Sequence, residues 1–180
     1  MGFLKKTVSV LDMVNERIGR FVAWAAIAMV LIQFTIVVMR YIFGIGSIMM
    51  QESVIYLHGI LFMVGASYTL LHEGHVRVDI FYREATPRTK AFVDLFGSLF
   101  LLLPVCILIS WSSYQYIVNS WSALEGSRET SGIQAVFLLK SIIWVFTGLM
   151  ILQGLSMAAR SYLFLAGDPL ENSQNNKGHI

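Results

Sequence analysis

The sequence predicts an all-α membrane protein with four transmembrane helices, and three observations carry that expectation. Hydrophobic residues make up 56% of the 180 and charged residues only 13%, about half the charged share of an average soluble domain. The charges are also segregated. Four stretches, each close to the ~20 apolar residues that a bilayer crossing requires, are nearly free of them. Finally, Lys and Arg fall mostly in alternate gaps between these stretches, the asymmetry expected of a chain that weaves through a bilayer. The spans are placed at about 20–42, 52–73, 87–116 and 136–162, in one four-helix domain covering 1–180.

The first span lies between Arg20 and Arg40, with no charge from Phe21 to Met39. At 1.5 Å per residue the two arginines stand about 30 Å apart, one hydrocarbon thickness, so each reaches its own interface. The apolar run exceeds that of a signal peptide and no small-x-small site follows it, so it reads as an uncleaved anchor. Gly44-Ile45-Gly46-Ser47 supplies a turn. Ser53 to His72 carries no formal charge between Glu52 and Glu73. Gly74 follows where a left-handed residue would end the helix.

Thr86 and Pro87 read as the N-cap and first position of the third helix. Leu95 to Leu124 is then uncharged for thirty residues, longer than a bilayer is thick, so this helix tilts or projects. Trp111, Tyr114, Tyr116 and Trp121 form an aromatic belt at its far end. Pro104 cannot donate to the carbonyl of Phe100, and a kink is expected there. Ser141 to Ala159 makes the fourth span, between Lys140 and Arg160. The third and fourth helices are thus both long. Residues 168–180 are polar and expected to be disordered.

Ten of the 13 Lys and Arg residues fall in the N-terminal arm, the loop between spans two and three, and the C-terminal end; only Arg40, Arg128 and Lys140 fall on the other side. The positive-inside rule therefore puts both termini and the middle loop, with a short interfacial segment, in the cytoplasm. The same scattering argues against nucleic-acid binding, because no basic face is interleaved with aromatics. The single Cys106 leaves no internal disulfide and no multi-cysteine metal site. No inverted repeat of the kind that builds many secondary transporters is visible.

Several polar residues fall within or beside the spans. His58 is expected to hydrogen-bond a neighbouring helix, with a proton or ligand role or a contact with another subunit as alternatives, and Gln33 and Gln153 to bridge helices. Asp94 pairs with Lys90 four residues earlier, or meets a partner subunit. Glu52 is either solvated at the interface or docks a partner. His72 and His75 lack further ligands in sequence, so no metal site is expected. His58 and His72 share one helix face, but the other spans contain no histidine, so a haem ligand set is incomplete. Catalytic motifs such as the P-loop and H-E-x-x-H are missing, and no catalytic, cofactor or metal residue is assigned.

The stretch Arg40 to Asp79 resembles the small membrane subunit, DctQ-like, of tripartite ATP-independent periplasmic (TRAP) transporters. Arg40-Tyr41-Ile42-Phe43-Gly44 ends the first span and Gln51-Glu52 opens the second. Gly65-Ala66-Ser67-Tyr68 lies within the second, and Gly74-His75-Val76-Arg77-Val78-Asp79 fills the loop after it. The last piece is the most specific. Met49-Met50 stand where the family often has tryptophan. Trp121 to Thr130 looks like the outer loop of the branch serving 2-oxo acids and related carboxylates.

The resemblance implies a non-enzymatic scaffold in the bacterial inner membrane, part of a sodium-coupled importer of organic acids. A large multi-spanning subunit would carry the substrate and sodium sites and move as an elevator. A periplasmic binding protein would deliver the solute, with membrane lipids around both membrane subunits. In that picture Arg40, Glu52 and Lys140 make contacts on the outward side. His75, Arg77 and Asp79 order the cytoplasmic turn, Asp79 as a cap, and Asp94 is a structural or subunit contact. The alternative is a membrane anchor or cytochrome-type subunit of a redox complex; a free-standing carrier and an assembly factor are further rivals.

Overall fold

A computed structural model describes residues 2–75, 82 and 84–167. Among the described residues, five helices and one π segment make up four crossings: α1 (Gly2–Phe43), α2 (Ile48–Leu71), α3 (Pro87–Gly97), a π segment (Ser98–Leu102), α4 (Leu103–Ser122) and α5 (Val136–Leu165). Each crossing is long and apolar enough to span a membrane, with α3, the π segment and α4 together forming the third. The most apolar windows of these crossings are only 11% to 28% buried within the chain. An apolar exterior on that scale needs hydrocarbon or protein against it. Membrane solvation resolves this.

Arg77 and Asp79, the interfacial segment expected around them, and the 168–180 tail all lie outside the described residues.

Helix α1 holds 42 residues, about 63 Å at the α-helical rise and roughly twice the hydrocarbon thickness. It begins at Gly2, whereas the first span is expected near residue 20. The reason is a buried seam that runs through the charged N-terminal half: Val8, Asn15, Val22 and Ile36 are all buried and fall on one heptad position. Gly19 sits between two of them. A Cβ there would lie 2.3 Å from the Tyr68 ring, so the smallest side chain lets α1 and α2 approach.

The turn after α1 uses Gly44 at φ +67°, and the Ile45 N–H reaches back to the Met39 carbonyl at 3.1 Å. Ser47 caps α2 by accepting from the Met50 N–H. At the other end of α2 the left-handed residue is Glu73, at φ 54°, not Gly74 as the sequence suggested. The helix runs one residue less far than Gly74 would need. The Gly74 N–H instead closes a 2.8 Å bond to the Thr69 carbonyl, which is the outer bond of a Schellman ending.

Thr86 caps α3 through the Thr89 N–H, with Pro87 in the first turn. The irregularity expected at Pro104 takes the form of the π segment. The Leu103 N–H bonds to the Ser98 carbonyl, five residues back. One wide turn thus absorbs the donor that proline lacks.

Helix α5 is the hub, touching α1, α2, α3, the π segment and α4. Two stripes on it are buried. Leu149, Gln153, Ser156 and Leu163 follow one 3-4 spacing, and Thr147, Met150, Gly154, Ala158 and Ser161 follow another. Gly154 lies against Leu102. Val22, Val64 and Leu149 form the apolar centre where α1, α2 and α5 meet.

Candidate functional site

The polar side chains gather into two clusters at opposite ends of the bundle. One end holds the α1–α2 turn and the 123–135 connection. The opposite end holds the start of α1 and the ends of α2 and α5. Both clusters cross-link helices.

Glu52, in the first turns of α2, organises the 123–135 connection. Its carboxylate accepts the Ser127 hydroxyl and, at 2.6 Å, the Ile133 backbone N–H. A Cβ on Gly132 would stand 2.3 Å from Ser127 Oγ and 2.6 Å from Glu52 Oε2, so glycine is required where the loop passes over the carboxylate. Ten residues after Ser127 begins the second anchor: the Phe137 N–H donates to the Glu125 carbonyl at 3.3 Å. The Glu125 side chain accepts from Ser120 Oγ at 2.7 Å and from Lys140 Nζ.

Lys140 Nζ also lies 4.0 Å from the centre of the Tyr116 ring, a cation–π contact that the half-buried setting strengthens. The Lys140 hydrogen bond, followed by that from Ser120, holds the Glu125 carboxyl below the usual carboxylate range. Trp121 Nε1 donates to Ser141 Oγ at 2.7 Å and ties α4 to α5 beside this pair. Arg40 is exposed at the same end. Of the three outward-side residues named from sequence, Glu52 and Lys140 are engaged within the chain, and Arg40 is left facing out.

The opposite cluster joins α1 to α5. Asp12 Oδ1 accepts from Ser156 Oγ at 2.6 Å, and Asp12 Oδ2 accepts from Arg160 Nη2. One turn along, Asn15 Nδ2 donates to Gln153 Oε1 at 2.8 Å. Asn15 occupies the heptad seam, and a lone polar residue at such a position fixes the register of two packed helices. Glu16 ties α1 to α2: His72 Nε2 lies 2.7 Å from one carboxylate oxygen and Arg20 2.7 Å from the other. Gln153 thus bridges helices as expected.

Other residues singled out from the sequence have different surroundings. His75 Nε2 is 3.2 Å from the Ala66 carbonyl. His72 and His75 therefore face separate partners, and among the described residues no three His, Cys, Asp or Glu side chains converge on a common point. Asp94 accepts the Tyr82 hydroxyl at 2.8 Å, and Lys90 lies over the same Tyr82 ring. Gln33 and His58 are exposed and, among the described residues, hydrogen-bond no neighbouring helix. Of the two glutamines expected to bridge helices, Gln153 does so among the described residues and Gln33 does not.

Asp12, Asn15, Glu16 and Glu125 were not singled out from the sequence, and Arg160 was read only as the charge that bounds the fourth span. A signal was present. Asp12, Asn15 and Gly19 follow the same 3-4 spacing as Gln153, Ser156 and Arg160, and polar residues at that spacing on two helices mark facing seams. These contacts offer rigidity: fixed ion pairs and hydrogen bonds that tie one helix to another.

The family model described as "Tripartite ATP-independent periplasmic transporters, DctQ component" matches residues 29–163. The chain belongs to the DctQ component family. The match takes in α2, α3, α4 and nearly all of α5, and it begins part-way along α1, after Asp12, Asn15 and Glu16. Neither the curated proteins nor the solved structures include a match to the chain. Membership makes this DctQ protein the small component of a TRAP transporter. With four span-capable helices, it is a multi-pass protein of the inner membrane.

Proposed function

We propose that this DctQ protein is a non-catalytic scaffold that braces the large, elevator-type subunit of a sodium-coupled importer. The imported solute is an organic acid delivered by a periplasmic binding protein, and the sodium sites belong to the large subunit. The family match over residues 29–163 is the observation that carries this reading. The geometry supports it. An elevator moves solute only if something beside it stays still in the bilayer. This bundle is tied across both ends by Glu52, Glu125–Lys140, Asp12–Arg160 and Glu16.

In the orientation favoured by the positive charges, the 123–135 connection faces the periplasm. Its anchored path, with Arg128 and Glu129 exposed, then presents a platform for the binding protein. Both termini and the 72–86 connection face the cytoplasm. Co-expression with the large membrane subunit, followed by purification through a tag on this chain, tests the reading. The expected result is stoichiometric recovery of the large subunit. Recovery of this chain alone, under conditions where both are made and inserted, would overturn it.

A further inference from the structure

Helices α4 and α5 leave an open groove of about 890 Å³ between them. Ile107, Trp111 and Tyr114 line it from α4, and Trp144, Gly148 and Ile151 from α5. Each set recurs at three- and four-residue spacing, so each lies along one helix face. At the floor, Ser110 donates to Thr147 Oγ1 at 2.7 Å, and Thr147 donates onward to the Ile143 carbonyl at 3.1 Å. A Cβ on Gly148 would meet nothing within 4 Å. The floor is therefore open space whose hydroxyls are already satisfied.

The rim differs. Trp111, Tyr114 and Trp144 are exposed, and the Tyr114 and Trp144 rings stand 5.9 Å apart. Among the described residues, neither indole N–H nor the Tyr114 hydroxyl has a hydrogen-bond partner. Two neighbouring belt aromatics are engaged: Trp121 Nε1 donates to Ser141, and the Tyr116 ring carries Lys140. The three unpaired donors also share a depth. Trp144 lies four residues inside Lys140, about 6 Å along α5, and the interfacial layer outside the hydrocarbon is roughly 5–8 Å thick. Tyr114 is level with Trp144, and Trp111 is less than one turn deeper. Ile151 lies about 10 Å further toward the bilayer centre. The groove thus runs inwards from the hydrocarbon boundary, with donors at its mouth and apolar walls below.

We infer that this groove holds one acyl chain of a glycerophospholipid, from the leaflet on the side of the 123–135 connection, with an ester or phosphate oxygen accepting from Tyr114 and the indoles. Such a lipid answers both parts of the groove. It carries its acceptors at the interfacial level, where Trp and Tyr present their polar edges, and it is hydrocarbon beneath. A transmembrane helix spends its backbone carbonyls on its own hydrogen bonds, so its main chain would leave the three donors unanswered. The inference needs only the membrane location of the chain and goes beyond the scaffold reading.

The test uses the full chain, alone and in the co-expressed complex, in vesicles of phosphatidylethanolamine and phosphatidylglycerol. A small fraction of the phosphatidylethanolamine carries a photoreactive diazirine midway along one acyl chain. After irradiation, lipid adducts at 107–115 and 144–151 should exceed those at the exposed Val30, Leu31 and Phe34 of α1 by about tenfold. That is the product of two hydrogen bonds, each worth about threefold in a membrane. Gly148→Leu, whose side chain enters open space, should bring the groove adducts down to the α1 level. Tyr114→Phe removes only the hydroxyl and should lower them about threefold. Equal adduct density in the groove and on α1, or enrichment that both variants leave unchanged, would mean ordinary lipid solvation and overturn the site. Enrichment lost in the complex would give the groove to the large subunit, and enrichment lost as the density of this chain rises would give it to a second copy. Either result would also overturn the lipid assignment. The scaffold reading is decided separately, by co-purification.

Discussion

Glu52 shows how a single carboxylate shapes a loop of a dozen residues. It accepts one side-chain and one backbone donor from the 123–135 connection, and glycine at 132 is what allows the loop that close. Glu52→Ala leaves the Ile133 N–H without its acceptor, a loss of about 1–3 kcal/mol for a half-buried group. Amide hydrogen exchange across 127–133 should therefore accelerate about tenfold or more. Exchange in the 153–160 segment of α5 should stay unchanged.

The neighbouring Glu125 adds a pH dependence with a defined sign. Its carboxyl is held below the usual range by Lys140 and Ser120. A depressed pKa means that the folded chain favours the charged form, so its contribution is complete above the usual carboxylate range. The contribution is lost as pH falls through the lowered folded value. Thermal unfolding of Glu125→Gln and wild type, compared from neutral pH downwards, should show the two curves converging as acid protonates the wild-type residue. A constant difference across that window would contradict this account.

At the scale of elements, the α1–α5 contact is the clearest case of helices tied by polar residues. Asp12 and Arg160 form a partly buried pair supported by Ser156. Removing one partner strands the other, whereas removing both leaves no uncompensated charge. Asp12→Asn and Arg160→Met should each destabilise the bundle by about 1–3 kcal/mol. The double variant should fall short of their sum by more than about 0.5 kcal/mol, measured by unfolding in detergent. Strict additivity would mean that the pair does not act as a unit.

This contact also marks where the sequence stopped being legible. Span count, the Thr86-Pro87 start and the irregularity at Pro104 follow from local rules and match the helices found. The N-terminal half of α1 does not, because charge density masks its heptad seam. Its helical state is fixed by α5, more than 130 residues away in the chain. Glu73 displaced Gly74 as the left-handed residue for a similar reason. The exact end of a helix depends on where packing releases it, and propensity does not report that. Gln33 and His58 were legible as polar residues at membrane depth, but their direction was not. Which side of a helix faces its neighbours is decided by the bundle.

For the whole molecule, α5 packs against every other helix among the described residues, and polar ties close both ends. The most apolar stretches of the crossings stay largely unburied within the chain. Such a body suits a fixed support in the bilayer, with solute and ion chemistry assigned to a partner. The most direct test is transport in proteoliposomes with a sodium gradient and an organic acid presented by the binding protein. The account predicts saturable, sodium-driven uptake when this chain, the large subunit and the binding protein are all present, and background flux with this chain alone. Sodium-driven uptake by this chain alone, or undiminished uptake when it is omitted, would contradict it.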